Sequence, residues 1–125
     1  MKERRKYVRA EVSAVVKWSK ETGAREQKGE FEDTIKNIGG GGICLATDER
    51  LDVGERLSLS IELPTDETIH ARGKVVWINE FEIIGAKTEK GFYVGVEFMD
   101  ITEEDRDKVE TFVYEYHRNI MAKER

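Results

Sequence analysis

Apolar and polar residues alternate with a period of two along most of the first hundred positions, as in β-strands that bury one face. The clearest segment is 57–63, LSLSIEL, where every second residue is Leu or Ile. Pro64 ends it, because a proline cannot donate to a strand ladder. Five further segments alternate in the same way: 10–18, 31–38, 43–47, 69–78 and 92–99. Six strands with short turns predict an all-β fold, an antiparallel barrel or sandwich.

Parity along these segments also assigns a side to each tryptophan. Trp18 shares the parity of Val16 in the first segment, and Trp77 shares the parity of Ile69 and Val75. Side chains two residues apart in a strand lie on the same face. The alternation therefore favours a core position for Trp77. Residues 79–91, which follow it, predict a mixed connection to the last strand.

The last quarter of the chain changes to a helical period. Thr102 is followed by three acidic residues, which is typical of an N-cap and the first turn of a helix. An apolar stripe then recurs at steps of three and four, formed by Val109, Phe112, Val113, Tyr116 and Ile120. We predict a helix at about 102–123 that buries this stripe against one side or end of the barrel. Its other side, around Tyr114, His117 and Met121, is either solvated or a self-association surface.

Charge is unevenly distributed along the chain. The formal net charge is −5, which argues against a general nucleic-acid or membrane-surface binder. Residues 1–9, MKERRKYVR, contain five basic residues and one acidic residue, a local charge of +4. We expect this segment to be mobile without a ligand and residues 10–125 to form a single domain. No apolar stretch is long enough to span a membrane and no signal peptide is evident, so a cytoplasmic location is expected.

The usual catalytic constellations are missing. His70 and His117 are far apart in sequence, and His117 beside the apolar stripe is expected to be a solvated surface residue. Cys44 is the single cysteine, so a cysteine zinc cluster is excluded and a small buried residue is expected. The glycines of 39–42 are not followed by the lysine of a P-loop and precede a strand. The sequence therefore predicts neither an enzyme nor a metal site.

Two short motifs remain, and together they resemble a known family. Arg5-Lys-Tyr-Val-Arg9 precedes the first strand, and Asn37-Ile-Gly-Gly-Gly-Gly42 follows a later one. In this order they resemble the RxxxR and (D/N)xSxxG motifs of the PilZ domain family. The first motif matches fully, whereas the second matches at its ends and has Gly39 where the family has serine. The segments 41–64, 69–78 and 91–109 also resemble the family, so the resemblance covers nearly the whole chain.

The resemblance implies a six-stranded barrel with a C-terminal helix that binds the bacterial second messenger cyclic di-GMP, with no other cofactor. Arg5 and Arg9 would bind guanine edges and phosphates, since an arginine fork matches both. Asn37 would contact the polar edge of a guanine, and Gly42 would hold the shape of the loop. Arg4 offers a third guanidinium, which we expect to help hold a second, stacked ligand molecule.

Two further positions bear on the ligand in this family interpretation. Trp77, at the end of its strand, is a stacking surface for a base if it is not part of the core. Gly39 lacks the hydroxyl of the family serine. Losing one such hydrogen bond costs about 0.5–1.5 kcal/mol, which weakens binding up to roughly tenfold.

The resemblance favours a receptor or adaptor in second-messenger signalling, regulating motility or biofilm formation. The arginine segment would fold over the ligand and change a surface that an unidentified protein partner contacts. One alternative is a PilZ-like interaction module that has lost or weakened ligand binding, with Gly39 as its best support. A second is a single-stranded nucleic-acid binder, which small barrels often are and which the acidic charge opposes. The oligomeric state stays open.

Overall fold

The computed structural model describes residues 9–21, 30–83 and 89–123, which form six strands and one helix. In chain order they are β1 Arg9–Lys20, β2 Phe31–Gly39, β3 Gly42–Thr47, β4 Arg56–Glu62, β5 Thr68–Ile83, β6 Glu89–Ile101 and α1 Glu103–Lys123. The strands close into a barrel in the order β1-β2-β3-β6-β5-β4, and all the neighbouring pairs are antiparallel. The predicted six-stranded antiparallel barrel with a C-terminal helix is confirmed.

The barrel interior is filled by the apolar residues of each alternating segment. The largest fully buried side chains are those of Trp18, Ile35, Ile38, Ile43, Leu45, Leu57, Ile61 and Ile69. One transverse row shows the packing: Ala10, Ile38, Ile43, Val96 and Val75 are register partners on five strands, and all are buried. Residues on either side of this row therefore point to the outer face.

Strands β5 and β6 extend further than the alternation predicts. Residues 79–83 and 89–91, expected to lie in a mixed connection, continue the ladder, with Phe81 opposite Gly91. The rings of Phe81 and Tyr93 pack with centroids 4.5 Å apart. Lys90 Nζ lies 3.2 Å from Glu80 Oε2 and forms a salt bridge with it. Cross-strand pairs of this kind stabilise a ribbon that lacks a clear period.

Helix α1 crosses an end of the barrel. The Thr102 hydroxyl accepts a hydrogen bond from the Asp105 amide at 3.0 Å, so Thr102 is the N-cap, as predicted. Val109 and Val113 belong to the buried cluster of the barrel, whereas Ile120 of the predicted stripe is 36% exposed. The helix contacts β1, β2 and β5. Since β5 is not hydrogen-bonded to β1 or β2, α1 bridges opposite walls. No helix in the described ranges is long and apolar enough to cross a membrane.

Candidate functional site on the outer face

Two transverse rows of the outer face bring the sequence motifs together. In the first row Arg9 pairs with Gly39, Gly39 with Gly42, and Gly42 with Glu97. In the second, Glu11 pairs with Asn37, Asn37 with Cys44, Cys44 with Gly95, and Gly95 with Trp77. Directly opposed residues of antiparallel strands lie on the same face. We call this surface the outer basin, formed by Arg9, Glu11, Asn37, Gly39, Gly42, Cys44, Gly95, Glu97 and Trp77.

The floor of the outer basin carries almost no side chains. Gly39, Gly42 and Gly95 lie on three adjacent strands, and Cys44 has a small, buried side chain. Neighbouring strands lie about 4.8 Å apart, so three spacings separate Asn37 from Trp77 by about 14 Å. The positions of Gly39, Gly42 and Cys44 carry little side-chain bulk, which lets a planar group approach the backbone closely.

Gly42 is required by the barrel rather than by the turn beside it. A Cβ on Gly42 would overlap the carbonyl oxygen of Val96, because β3 and β6 approach each other closely here. The two glycines before it form the turn between β2 and β3, and the Gly41 carbonyl accepts a hydrogen bond from the Phe98 amide at 2.9 Å. Among the described residues the glycine with positive φ is Gly54, so the run at 39–42 is not needed for a left-handed backbone. This packing constraint acts on Gly42 in addition to the expected role in shaping the loop, which stays a prediction.

Asn37 is turned outward by an irregularity in β2. The register with β3 shifts between Ile35 and Asn37, and as a result Ile35 and Ile38 both point into the core. The Asn37 Oδ1 atom is buried and has no hydrogen-bond partner in the part of the chain that the structure describes. A buried acceptor without a donor is costly and uncommon in native proteins. It marks Asn37 as a position where a donor from another molecule would be stabilised.

Trp77 lies on the surface, and the parity that favoured the core is wrong at this point. The register between β5 and β6 shifts between Val75 and Trp77, and both Val76 and Trp77 are exposed, at 41% and 42%. A bulge adds one residue to a strand and so reverses the side of every residue after it. The indole covers Gly95, where a Cβ would overlap the ring. Trp77 therefore forms the far wall of the outer basin and offers an aromatic surface.

Arg9 is the first residue of β1 and is half-buried. Its backbone carbonyl lies 2.7 Å from Nε2 of His117 on α1. Since a carbonyl can only accept, the ring nitrogen donates. His117 is therefore half-buried and hydrogen-bonded to β1, which corrects the expectation of a solvated surface histidine. Arg4 and Arg5, with most of the predicted mobile segment 1–9, lie outside the described residues.

The sequence alone did not single out Glu97, Cys44 and Gly95 as members of this site. Glu97 is exposed and lies beside Gly42. Gly95 could have been noticed, since a glycine inside a strand often marks a close approach of another group. In contrast, only the register of β3 with β6 brings Cys44 and Glu97 to this face.

A concave region of about 240 Å³ lies elsewhere on the barrel and is lined by Glu21, Arg56, Arg72, Gly73, Met99 and Asp100. Its charges satisfy one another: Arg72 Nε donates to Glu21 Oε2 at 2.7 Å, and this hydrogen bond lowers the pKa of the Glu21 carboxyl. No buried polar atom here is left without a partner. No group of three or more metal-ligating side chains occurs in the described ranges either. The outer basin is thus the better candidate site.

Residues 3–115 match the family model of the PilZ domain. With a six-stranded antiparallel barrel and a C-terminal helix, the chain belongs to the PilZ domain family.

Solved structures share this fold. The PilZ domain of YcgR from Escherichia coli, solved with c-di-GMP, superimposes with a TM-score of 0.71 at 14% identity, covering 97% of both chains. The Bacillus subtilis inhibitor of motility MotI gives a TM-score of 0.73 at 25% identity over 94% of this chain and 52% of that one. The MrkH complex with c-di-GMP from K. pneumoniae gives 0.74 at 16% identity over 97% and 55%.

This chain thus spans about half the length of the MotI and MrkH chains. A comparison with curated protein sequences found no match.

Proposed function

We propose that this protein is a receptor that binds cyclic di-GMP in the outer basin. The observation that carries the proposal is the buried Asn37 Oδ1, an acceptor with no donor in the described part of the chain. Guanine presents N–H donors on its polar edge, including the N2 amino group, and these would satisfy the acceptor. Membership of the PilZ family supports this ligand, as do the related structures of YcgR and MrkH with c-di-GMP.

The other basin residues suit a flat, anionic dinucleotide. Arg9 provides a guanidinium fork that can bond phosphate oxygens or the O6 and N7 acceptors of guanine. Trp77 provides a stacking surface for a base, and stacking of this kind is worth about 1–3 kcal/mol per base. Arg5, and Arg4 with a second stacked ligand molecule, would add further guanidinium contacts from the N-terminal segment. No covalent step is involved, so the activity is recognition.

Gly39 changes the strength of binding rather than its location. It lies between Arg9 and Gly42 in the first transverse row, where the family has a serine. The missing hydroxyl lowers affinity by about 0.5–1.5 kcal/mol. The lack of side-chain bulk at Gly39 and Gly42 keeps the backbone within reach of the ligand, and a water can replace part of the lost hydrogen bond. We therefore expect binding weakened up to roughly tenfold but not abolished.

The signal in this proposal is a change of surface. Segment 1–9 carries a local charge of +4, whereas the chain as a whole carries −5. A dianionic ligand in the outer basin attracts that segment and neutralises the repulsion between its basic side chains. The segment then closes over the basin and alters what a downstream protein partner contacts.

Titration calorimetry with cyclic di-GMP tests the proposal. We expect saturable heat in the micromolar range or below, and the absence of heat at high micromolar nucleotide would overturn it. Arg9→Ala should weaken binding strongly. Lys17→Ala is the matched control, since it removes a cation from the same strand about eight residues, or roughly 26 Å, away. Equal effects of the two substitutions would indicate nonspecific charge attraction instead.

Substitutions at Asn37 test the atom that carries the proposal. Asn37→Asp keeps an acceptor at this position and should retain binding, whereas Asn37→Leu removes the acceptor at similar volume and should lose it. The unfolding free energy of Asn37→Leu should not fall, because the substitution removes a buried acceptor that has no partner. Equal affinity of Asn37→Leu and the wild type would exclude this contact.

A further inference from the structure

We infer that His117 is a positioning residue for the nucleotide: by holding the Arg9 carbonyl, it couples the C-terminal half of α1 to the outer basin. This inference rests on the proposed function. The two residues are 108 positions apart, and the 2.7 Å contact joins the last element of the fold to the first residue of its first strand.

The imidazole is held from the helix side by packed aromatic rings. His117 meets the ring of Tyr116 edge-on, with centroids 5.3 Å apart and an interplanar angle of 83°. Tyr116 in turn packs near Phe112, at 6.4 Å, and both rings pack against the buried core. This chain of contacts gives the imidazole a defined position, because its neighbour is itself anchored. His117 is thus a fixed donor rather than a freely rotating surface side chain.

The hydrogen bond to the Arg9 carbonyl requires an N–H at Nε2 of His117, because the carbonyl can only accept. The expected role of His117 is therefore mechanical: its ring donates to the backbone and holds it in place.

On the strand side, Arg9 pairs with Gly39 on β2, and the next residue along β1 is the fully buried Ala10. The His117 contact therefore reaches the strand of the outer basin directly, at a backbone carbonyl two residues before Glu11, the register partner of Asn37. A fixed donor at this carbonyl holds the Arg9 backbone in line with the ladder.

Coupling of this kind acts in both directions. If the position of α1 changes the affinity of the basin, nucleotide binding must stabilise the docked position of α1 by the same free energy. The helix exposes Tyr114 and Met121, at 63% and 65%, on the turns that flank His117. A change in the docking of α1 would therefore reach an exposed apolar surface outside the basin.

A matched pair of substitutions tests the donor. Gln and Met have similar length, but only Gln keeps an N–H near the position of Nε2. We expect His117→Met to weaken cyclic di-GMP binding roughly three- to tenfold in calorimetry, and His117→Gln to bind within about twofold of the wild type. His70→Met is the control for loss of a histidine, since His70 is the other histidine and its side chain is exposed.

Hydrogen exchange distinguishes a positioning role of His117 from a purely structural role. Nucleotide should slow exchange of the backbone amides of 113–123 in the wild type and in His117→Gln, and should not do so in His117→Met. Urea unfolding of each variant checks that the fold is intact. A nitrogen NMR titration of the wild type needs no substitution: the His117 ring signal should shift on nucleotide addition, and the His70 signal should not.

The outcomes separate the inference from the function on which it rests. If the wild type binds and His117→Met binds equally well, the inference is overturned and the proposed function stands. The same holds if His117→Gln is as weak as His117→Met, or if the His117 ring signal does not respond. If the wild type does not bind cyclic di-GMP, the proposed function fails first, and the inference fails with it.

Discussion

The two tryptophans of this chain both lie on strands that alternate, yet they have opposite environments. Trp18 is fully buried, stacks on Phe31 with centroids 4.5 Å apart, and donates its indole N–H to Asp33 at 2.9 Å. Trp77 is 42% exposed and lies over Gly95. The first has every polar and apolar group satisfied within the protein. The second leaves an aromatic surface open on the same outer face as the Asn37 Oδ1 atom, a buried acceptor that has no partner in the described part of the chain.

The difference comes from one shift of register. Trp18 continues the alternation of β1 opposite Phe31, whereas the irregularity between Val75 and Trp77 turns Trp77 outward. Bulges are common next to binding sites because they redirect a side chain without changing the strand. One tryptophan is therefore part of the buried core of this barrel, whereas the other presents an aromatic surface to solvent.

Truncation of the two rings should separate these roles most clearly. Trp18→Ala should lower the unfolding free energy by about 3–5 kcal/mol, because a large buried ring is replaced by a cavity. Trp77→Ala should lower it by about 1 kcal/mol or less, since the ring is partly exposed. Urea unfolding followed by circular dichroism measures both. Similar losses for the two variants would contradict the division of roles.

The next largest effect is expected at two glycines, Gly42 beside the Val96 backbone and Gly95 beside the Trp77 side chain. Alanine at these positions should lower the unfolding free energy by different amounts. Gly42→Ala places a methyl group against the Val96 carbonyl, which is backbone and cannot move alone, so a loss of about 1–3 kcal/mol is expected. Gly95→Ala meets the Trp77 indole, a side chain that can rotate into solvent, and should cost less. Urea unfolding measures the loss, and acrylamide quenching should show Trp77 more exposed in Gly95→Ala. If Gly95→Ala is the more damaging, the indole is held more tightly than its exposure indicates.

Nucleotide binding should depend on one tryptophan and not on the other. Trp77→Ala should weaken cyclic di-GMP binding by about 1–3 kcal/mol, and Trp77→Phe by less, because a smaller ring still stacks. The chain has two tryptophans, so each conservative Phe variant leaves a single fluorophore. Nucleotide should change the emission of Trp77 in Trp18→Phe and leave that of Trp18 in Trp77→Phe unchanged. A response of Trp18 alone would place the ligand elsewhere.

The smallest expected effect concerns the charge of Glu97 in the outer basin. Glu97 is exposed and opposite Gly42, so its carboxylate repels a dianion bound in the outer basin. At about 10 Å in water this repulsion is roughly 0.8 kcal/mol before screening, so Glu97→Gln should strengthen binding about two- to threefold at low salt. Glu62→Gln, exposed on β4, is the control. A gain that persists at high salt would argue against an electrostatic origin.

The sequence also located part of the candidate site. The motif positions Arg9, Asn37 and Gly42 share the outer face with Trp77, as the structure shows, and their contacts with a ligand stay a prediction. Glu97 and Gly95 could not be assigned, because their place on the same face as Asn37 depends on how β6 is aligned with β3 and β5. Register is set by the packing of whole faces and by bulges, which one segment does not encode by itself.

Local periodicity was enough to determine the six strands, the N-cap at Thr102 and the buried stripe around Val109 and Val113, because each depends on neighbours within a few residues. Tertiary structure decided what depends on distant residues. It turned Trp77 outward through the alignment of β5 with β6, and it placed His117 against Arg9, 108 residues away. The physical reason is that period-two alternation assigns a face only until a bulge intervenes, while a contact between chain ends exists only once the barrel has closed.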